Sequence, residues 1–280
     1  MSAEQPVIFY GTRGAPNADS DALRLLSMPT QFQRTGTSLR YDLALPASCI
    51  ALLGEVRSAL QQGAPTRSWP LAPFDPAERI LLADFLGQGE VVATVRDRFQ
   101  IRETGLVGVW LGDRVGARTW SDGCWLEVGA IPAAIAEAAD RLGDAPAAVP
   151  PQVLARSMNA APLLHEIATR VRSHHVGEPN HVINFTLLPL TEADSEILAS
   201  ALGSSGIALQ SGGYGECRVL ATNVRNVWAV QYLSAMGIVV LDTLEIGSVP
   251  QAVTAAADDF GQSAQRLDEM LASYRSERAS

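Results

Sequence analysis

Two stretches of this chain repeat each other. PFDPAERILLADFLGQGEV begins at Pro73 and PLTEADSEILASALGSSGI begins at Pro189. At an offset of 116 (189 − 73), Ala77, Leu82, Ala83, Leu86 and Gly87 meet Ala193, Leu198, Ala199, Leu202 and Gly203. Two residues are then gained. At an offset of 118 (228 − 110), Thr104, Val109, Trp110, Leu126, Glu127, Gly129 and Pro132 meet Thr222, Val227, Trp228, Leu244, Glu245, Gly247 and Pro250. The Trp-to-Glu interval is 17 in both copies (127 − 110 and 245 − 228). A chain that contains itself twice is expected to build two like units, and this constrains the fold more than any propensity does.

Each copy has the same local pattern. Ile80, Leu81 and Phe85, and Ile197, Leu198 and Ala201, recur at helical spacing. Asp75 and Thr191 stand where N-caps belong, each followed three residues later by an acid, Glu78 or Asp194. Gly87 and Gly203 stand where a left-handed C-terminal residue is wanted. Short strands follow, with Trp228, Val230 and Tyr232 on one face by the period of two. Pro132 and Pro250 then lead into alanine-rich helices. The expected class is α+β: two pseudo-symmetric repeats of helix, antiparallel sheet and helix, with an N-terminal arm and connecting helices.

The repeat units run over residues 73–140 and 189–258. Residues 1–140 hold the arm, a helix from Pro46 to Gln62 and the first unit; residues 141–152 are a linker rich in Pro and Ala; residues 153–280 hold a connecting helix, Val153 to Arg172, and the second unit. The linear order also predicts a strand in HVINFTLLPL.

Composition excludes some classes of function. The net charge of −9 over 280 residues disfavours phosphate backbones and anionic lipid, so neither nucleic acid nor membrane insertion is expected. Three dispersed cysteines, Cys49, Cys124 and Cys217, suit a reducing compartment, and MSAEQPVIFYGTRG lacks the pattern of a signal peptide. A cytoplasmic location is the expectation.

Four candidate sites need weighing. SGGYGECR leads into a strand and has no lysine, so it is neither a P-loop nor a dinucleotide fingerprint. Its Gly212 and Gly213 read as a turn or bulge. Cys217 beside Arg218 could be an activated thiol, but strand neighbours point to opposite faces and the first copy has Phe99 there, which favours a packed core cysteine. The segment RSHHVGEPNH brings His174, His175 and His181 into one stretch that could ligate a metal; placement at a helix end is the favoured reading. Glu127 and Glu245 precede helices, where a negative charge is stabilising. Trp110 and Trp228 read as core anchors whose indole N–H groups need partners, with Thr104 and Thr222 as candidates. No nucleophile–base pair or metal constellation emerges, so neither an enzyme nor a resident cofactor is expected.

Several segments together carry a resemblance: INFTLLPLTEAD, GYGECRV, VWAVQYL and VVLDTLEIG, with LRLLSMP, LGQGEV, QIRETGLVGVW and LEVGAIP earlier in the chain. They resemble the HupH/HyaF/HoxQ-type hydrogenase expression/formation proteins, over about Leu23 to Phe260. Where that family often has Gly-Pro-Gly-Ser-Gln near its N-terminus, this chain has YGTRGAPNADSDA. The resemblance implies a cytoplasmic chaperone for maturing a nickel–iron uptake hydrogenase. Its partners would be the immature, iron–sulfur-carrying small subunit and other maturation factors. The motif positions it marks as candidates for partner binding are Asn184, Phe185, Tyr214, Gly215, Cys217, Arg218, Thr222, Trp228 and Glu245, with Trp110 and Glu127 in the first copy. The competing expectation is a redox or metal-handling factor in iron–sulfur maturation, using Cys217 and the His174/His175/His181 cluster.

Overall fold

The computed structural model describes residues 44–63, 66–116, 121, 123–212 and 215–279. The arm, the LRLLSMP stretch, Gly213 and Tyr214 lie outside the described residues. The fold is a mixture of helix and antiparallel sheet, divided into two compact units. No helix among the described residues is long and apolar enough to cross a membrane.

One unit draws on residues within Leu39–Glu137 and Gln251–Ser280. It contains α1 (Ala47–Gln61), β1 (Arg67–Pro70), α2 (Pro76–Leu86), β2 (Val91–Val95), β3 (Phe99–Glu103), β4 (Val109–Arg114) and β5 (Trp125–Val128), in the spatial strand order β1-β5-β4-β3-β2. After β5 comes α3 (Ala133–Asp140). Leu53, Leu60, Leu82, Leu86, Leu111 and Leu126 meet in its core. Each fully buried leucine contributes about 1.5–3 kcal/mol.

The other unit falls within Ala138–Pro250. It contains α4 (Pro151–Leu154), α5 (Ala160–Ser173), β6 (His181–Asn184), α6 (Glu192–Leu202), β7 (Ile207–Ser211), β8 (Glu216–Ala221), β9 (Val227–Leu233) and β10 (Val239–Ile246). Its strand order is β7-β8-β9-β10-β6. Leu163, Ile167, Ile183, Phe185, Leu198 and Leu244 form its core, under α5 and α6.

The helix starts follow from their caps. Glu78 Oε2 accepts the Asp75 amide at 2.9 Å, and the Asp194 carboxylate accepts the Thr191 amide at 2.9 Å, closing a capping box on α2 and on α6. Asp194 also accepts the amides of Asn159 and Ala160, at 2.7 and 2.9 Å. That second job explains a difference from the sequence expectation. The helix predicted from Val153 to Arg172 is two helices, α4 and α5, because the chain turns at Asn159 to put two amides on the Asp194 carboxylate.

Other differences have local reasons. Gly87 and Gly203 have φ of 69° and 61°, but with ψ of −161° and −169° they lie outside the left-handed helical region, in a region essentially reserved for glycine. Only His181–Asn184 of HVINFTLLPL is strand, because Phe185 and Thr186 both donate to the carbonyl of Asp242 as the chain turns away. Pro250 enters a single 3-10 turn, Gln251–Val253. A fresh helix, α7 (Ala257–Ala279), begins where the Asp259 carboxylate takes the Ala256 amide at 2.7 Å. The linear order groups α7 with the second copy. In the structure its Phe260, Ala264, Leu267 and Leu271 join the core built on α1 and α2.

Candidate functional site

Strand register decides which motif residues meet. In the unit within Ala138–Pro250, Ala229 faces Leu220 and Leu244, and Leu244 faces Ile183. These residues lie under α5 and α6. Two positions along each strand, on the same face by the period of two, lies a polar row. Gln210 pairs with Arg218, Arg218 with Gln231, and Gln231 with Asp242. The row ends on β6, where the Phe185 amide donates to the Asp242 carbonyl at 2.9 Å. Phe185 and Arg218, far apart in sequence, are thereby brought onto one line across the sheet.

The opposite face carries another set of motif residues. Cys217 pairs with Tyr232, and Trp228 with Glu245 and Ala221. Cys217 is buried, and burial pushes its thiol up to about 11; the nearby Glu245 adds to this, and a hydrogen bond with Tyr232 opposes it. Arg218 points away from it and donates from Nε to Glu216 Oε1 at 2.5 Å. The guanidinium that could have favoured a thiolate is therefore held elsewhere. Burial likewise raises the Tyr232 hydroxyl.

The tryptophans differ from expectation in their partners. Trp110 Nε1 donates to the Gly129 carbonyl at 2.8 Å, and Trp228 Nε1 donates to the Gly247 carbonyl at 3.3 Å. Thr104 and Thr222, the candidate partners, instead close their own loops: their hydroxyls accept the amides of Leu106 and Val224 at 3.2 and 3.1 Å. The reason is geometric: each threonine stands just past the end of the preceding strand, at the start of the loop that its hydroxyl closes.

Glu127 faces Trp110 across the strands, as Glu245 faces Trp228. Glu127 Oε1 accepts the Ala133 amide at 2.6 Å, at the start of α3, and Oε2 accepts the Trp125 indole at 3.0 Å. Burial, the largest influence, pushes the Glu127 carboxyl above its ordinary value against those two donors. Glu245 Oε2 accepts from Asn180 Nδ2 at 2.9 Å. Asn184 Oδ1 accepts the Leu187 amide at 3.3 Å. Gly212 and Gly215, the latter with φ of 158°, lie in the connection between the antiparallel strands β7 and β8.

The histidines do not converge. His181 Nε2 lies 2.7 Å from Glu166 Oε1 on α5, and His174 ends that helix near Gly247. Among the described residues no group of three or more His, Cys, Asp or Glu is placed to hold a metal ion. A pocket of about 240 Å³ lies among Val149, Pro150, Val153, Arg156, Glu196 and Ile197, and none of the motif residues lines it.

Sequence reading missed Gln210, Gln231 and Asp242. Their sequence neighbours give no signal, because only strand register lines them up. Asp242 does sit in the quoted VVLDTLEIG, and a buried acid inside an apolar strand is the one available cue.

Two units that each pack helices against an antiparallel sheet define an α+β protein. The chain belongs to the HupH hydrogenase expression protein family: the family's C-terminal conserved region matches residues 48–153 and again 157–274. It is 37% identical to the hydrogenase expression/formation protein HupH of Rhizobium leguminosarum bv. viciae, over 80% of this chain and 81% of that one. It is 31% identical to the hydrogenase-1 operon protein HyaF of Escherichia coli K12, over 94% of each. A solved structure, the hydrogenase expression protein HupH from Thiobacillus denitrificans, aligns with a TM-score of 0.37 at 28% identity, covering 41% of this chain and 96% of that chain. The two HupH relatives are named as expression or expression/formation proteins, and HyaF as an operon protein.

Proposed function

We propose that this protein is a cytoplasmic accessory factor in the maturation of a nickel–iron uptake hydrogenase. It holds the immature, iron–sulfur-carrying small subunit before assembly and export, alone or with other maturation factors. The observation that carries this reading is the extent of the family match, which takes in both halves of the chain. Relatives aligned over most of their own length bear hydrogenase expression/formation names, and one is named a hydrogenase-1 operon protein.

In this reading the two halves descend from one duplicated unit. The strand orders β1-β5-β4-β3-β2 and β6-β10-β9-β8-β7 support it, since each strand of one half has its counterpart at the same place in the other. So do the paired indole–carbonyl bonds of Trp110 and Trp228. Trp110, Trp228, Thr222, Glu127 and Glu245 act as architecture, while Asn184, Phe185, Gly215 and Arg218 mark the end of the sheet that meets the partner; Tyr214 is a further contact candidate from the family motif. Cys217 is a packed thiol. Its raised thiol and the scattered histidines weigh against a redox or metal-handling role.

Deleting the gene in a hydrogenase-producing host tests the proposal. The expected result is loss of mature small subunit and of hydrogenase activity, restored by the wild-type gene and also by a Cys217→Ser version. Undiminished mature hydrogenase in the deletion strain would reject it.

A further inference from the structure

The strand β6 ends the strand order of its unit, and among the described residues no strand pairs with its outer side. Its register shows which groups lie there. The Phe185 amide points at β10, donating to the Asp242 carbonyl at 2.9 Å. Alternate residues of an antiparallel ladder point to opposite sides. Ile183 and His181 therefore also face β10, and Val182 and Asn184 turn their main-chain N–H and C=O outward. Those outward groups make no hydrogen bond among the described residues. Val182 is 52% exposed.

Edge strands are normally protected by charge or by proline. The end strand of the other unit, β1, carries both, as Arg67 and Pro70. β6 reads HVIN and has no proline. Its one titratable side chain, His181, is turned onto Glu166 at 2.7 Å.

We infer that β6 is the docking edge for an extended, acidic segment of the client polypeptide, which adds to the sheet as a further strand. The inference rests on the proposed role in holding an immature client, and it names the surface used. Val182 and Asn184 supply the main-chain donors and acceptors. Val182 and, past the end of the strand, Leu187, 79% exposed, supply apolar contact. The acidic character follows from the rim. Glu166 sits against His181 at the start of β6, and Arg170 follows one turn later on the same face of α5. Arg170 and Arg172 are exposed, and neither forms an ion pair among the described residues of a chain whose net charge is −9. Their charge favours the helix C-terminus and leaves both guanidiniums open to a carboxylate. A second copy of this chain would bring HVINF, which has no carboxylate to meet them.

The test uses full-length protein and two fluorescein-labelled, cysteine-alkylated probes, the small and the large subunit of a nickel–iron hydrogenase. Binding is read by anisotropy and by hydrogen exchange of the β6 amides. Wild type is expected to bind the small subunit and to gain protection at the Val182 and Asn184 amides. Val182→Pro removes an outward N–H and sets a ring in its place, so binding should weaken about tenfold. Proline is tolerated on an edge strand whose N–H faces solvent, so Tm should change little. Arg170→Glu, at an exposed position, should weaken binding about fivefold in 50 mM NaCl and by less in 500 mM, because salt screens surface charge. It decides the matter if Val182→Pro does not fold. Small-subunit binding with both variants within twofold of wild type and the two amides unprotected would overturn the inference and leave the client reading standing. Binding of the large subunit alone, lost in Val182→Pro, would reject that client and uphold the edge. Binding of neither probe would overturn both. A dimer in analytical ultracentrifugation that Val182→Pro converts to monomer would assign the edge to a second copy and overturn the inference.

Discussion

The indole nitrogen of Trp110 reaches the carbonyl oxygen of Gly129 at 2.8 Å, nineteen residues ahead in the chain. Trp228 and Gly247 repeat the relation at the same interval, at 3.3 Å. In both cases a fully enclosed ring finds its polar partner at the turn that follows the neighbouring strand. A buried carbonyl that loses its indole donor costs about 1–3 kcal/mol, and shortening the ring adds a cavity. Trp110→Phe and Trp228→Phe should therefore each lower the unfolding free energy by about 1–3 kcal/mol, and by similar amounts. Urea denaturation measures this. A large loss for one and none for the other would contradict the proposed duplication.

Asp194 joins the starts of two helices. Burial raises its carboxyl, but the bonds from Thr191, Asn159 and Ala160 outweigh it and hold the group below the ordinary aspartate value. A carboxylate with a lowered folded value binds its proton more weakly in the native state than in the unfolded one. Its stabilisation is present above the unfolded value, near 4, and is lost as pH falls through the folded value. Asp194→Ala should cost about 2 kcal/mol at pH 7, the upper range for a cap. The gap between wild type and Asp194→Asn should narrow as pH is lowered below 4, which acid-range urea titrations would show.

The thiol of Cys217 should be inert. With its ionisation pushed up to about 11, almost none is thiolate at pH 7.5, and Cys49 and Cys124 are also buried. Iodoacetamide should leave all three cysteines unmodified in native protein and modify all three in 6 M guanidinium, as counted by mass spectrometry. Rapid native labelling of Cys217 would reopen a redox role.

Gly203 allows little replacement. Its φ of 61° is unfavourable for any side chain, and an added Cβ would come 2.2 Å from Asn223 Nδ2. Gly203→Ala should cost about 1–3 kcal/mol. Gly87 has a matching φ of 69° but open space around it, so Gly87→Ala should cost less. Thermal melts of the two variants measure the difference.

Much of the architecture was legible because it is local. The capping boxes at Asp75 and Thr191, the strand faces around Trp228 and the buried state of Cys217 follow from spacing alone. Long-range geometry was not legible. Nothing near Trp110 in sequence points to Gly129 over Thr104. Nothing near Asn159 shows that Asp194 will break the helix there. The row through Gln231 depends on three strand registers, and the docking of α7 on α1 depends on a chain that leaves one unit and returns to it. The family motifs flagged Phe185 and Arg218 without saying that they share a line.

The most direct test is to purify the untagged protein from hydrogenase-producing cells and identify what accompanies it by native mass spectrometry. The account predicts a complex whose added mass equals the small subunit before export, dissociating when hydrogenase assembly is allowed to finish. A protein that emerges alone under those conditions, or bound only to the large subunit, would contradict it.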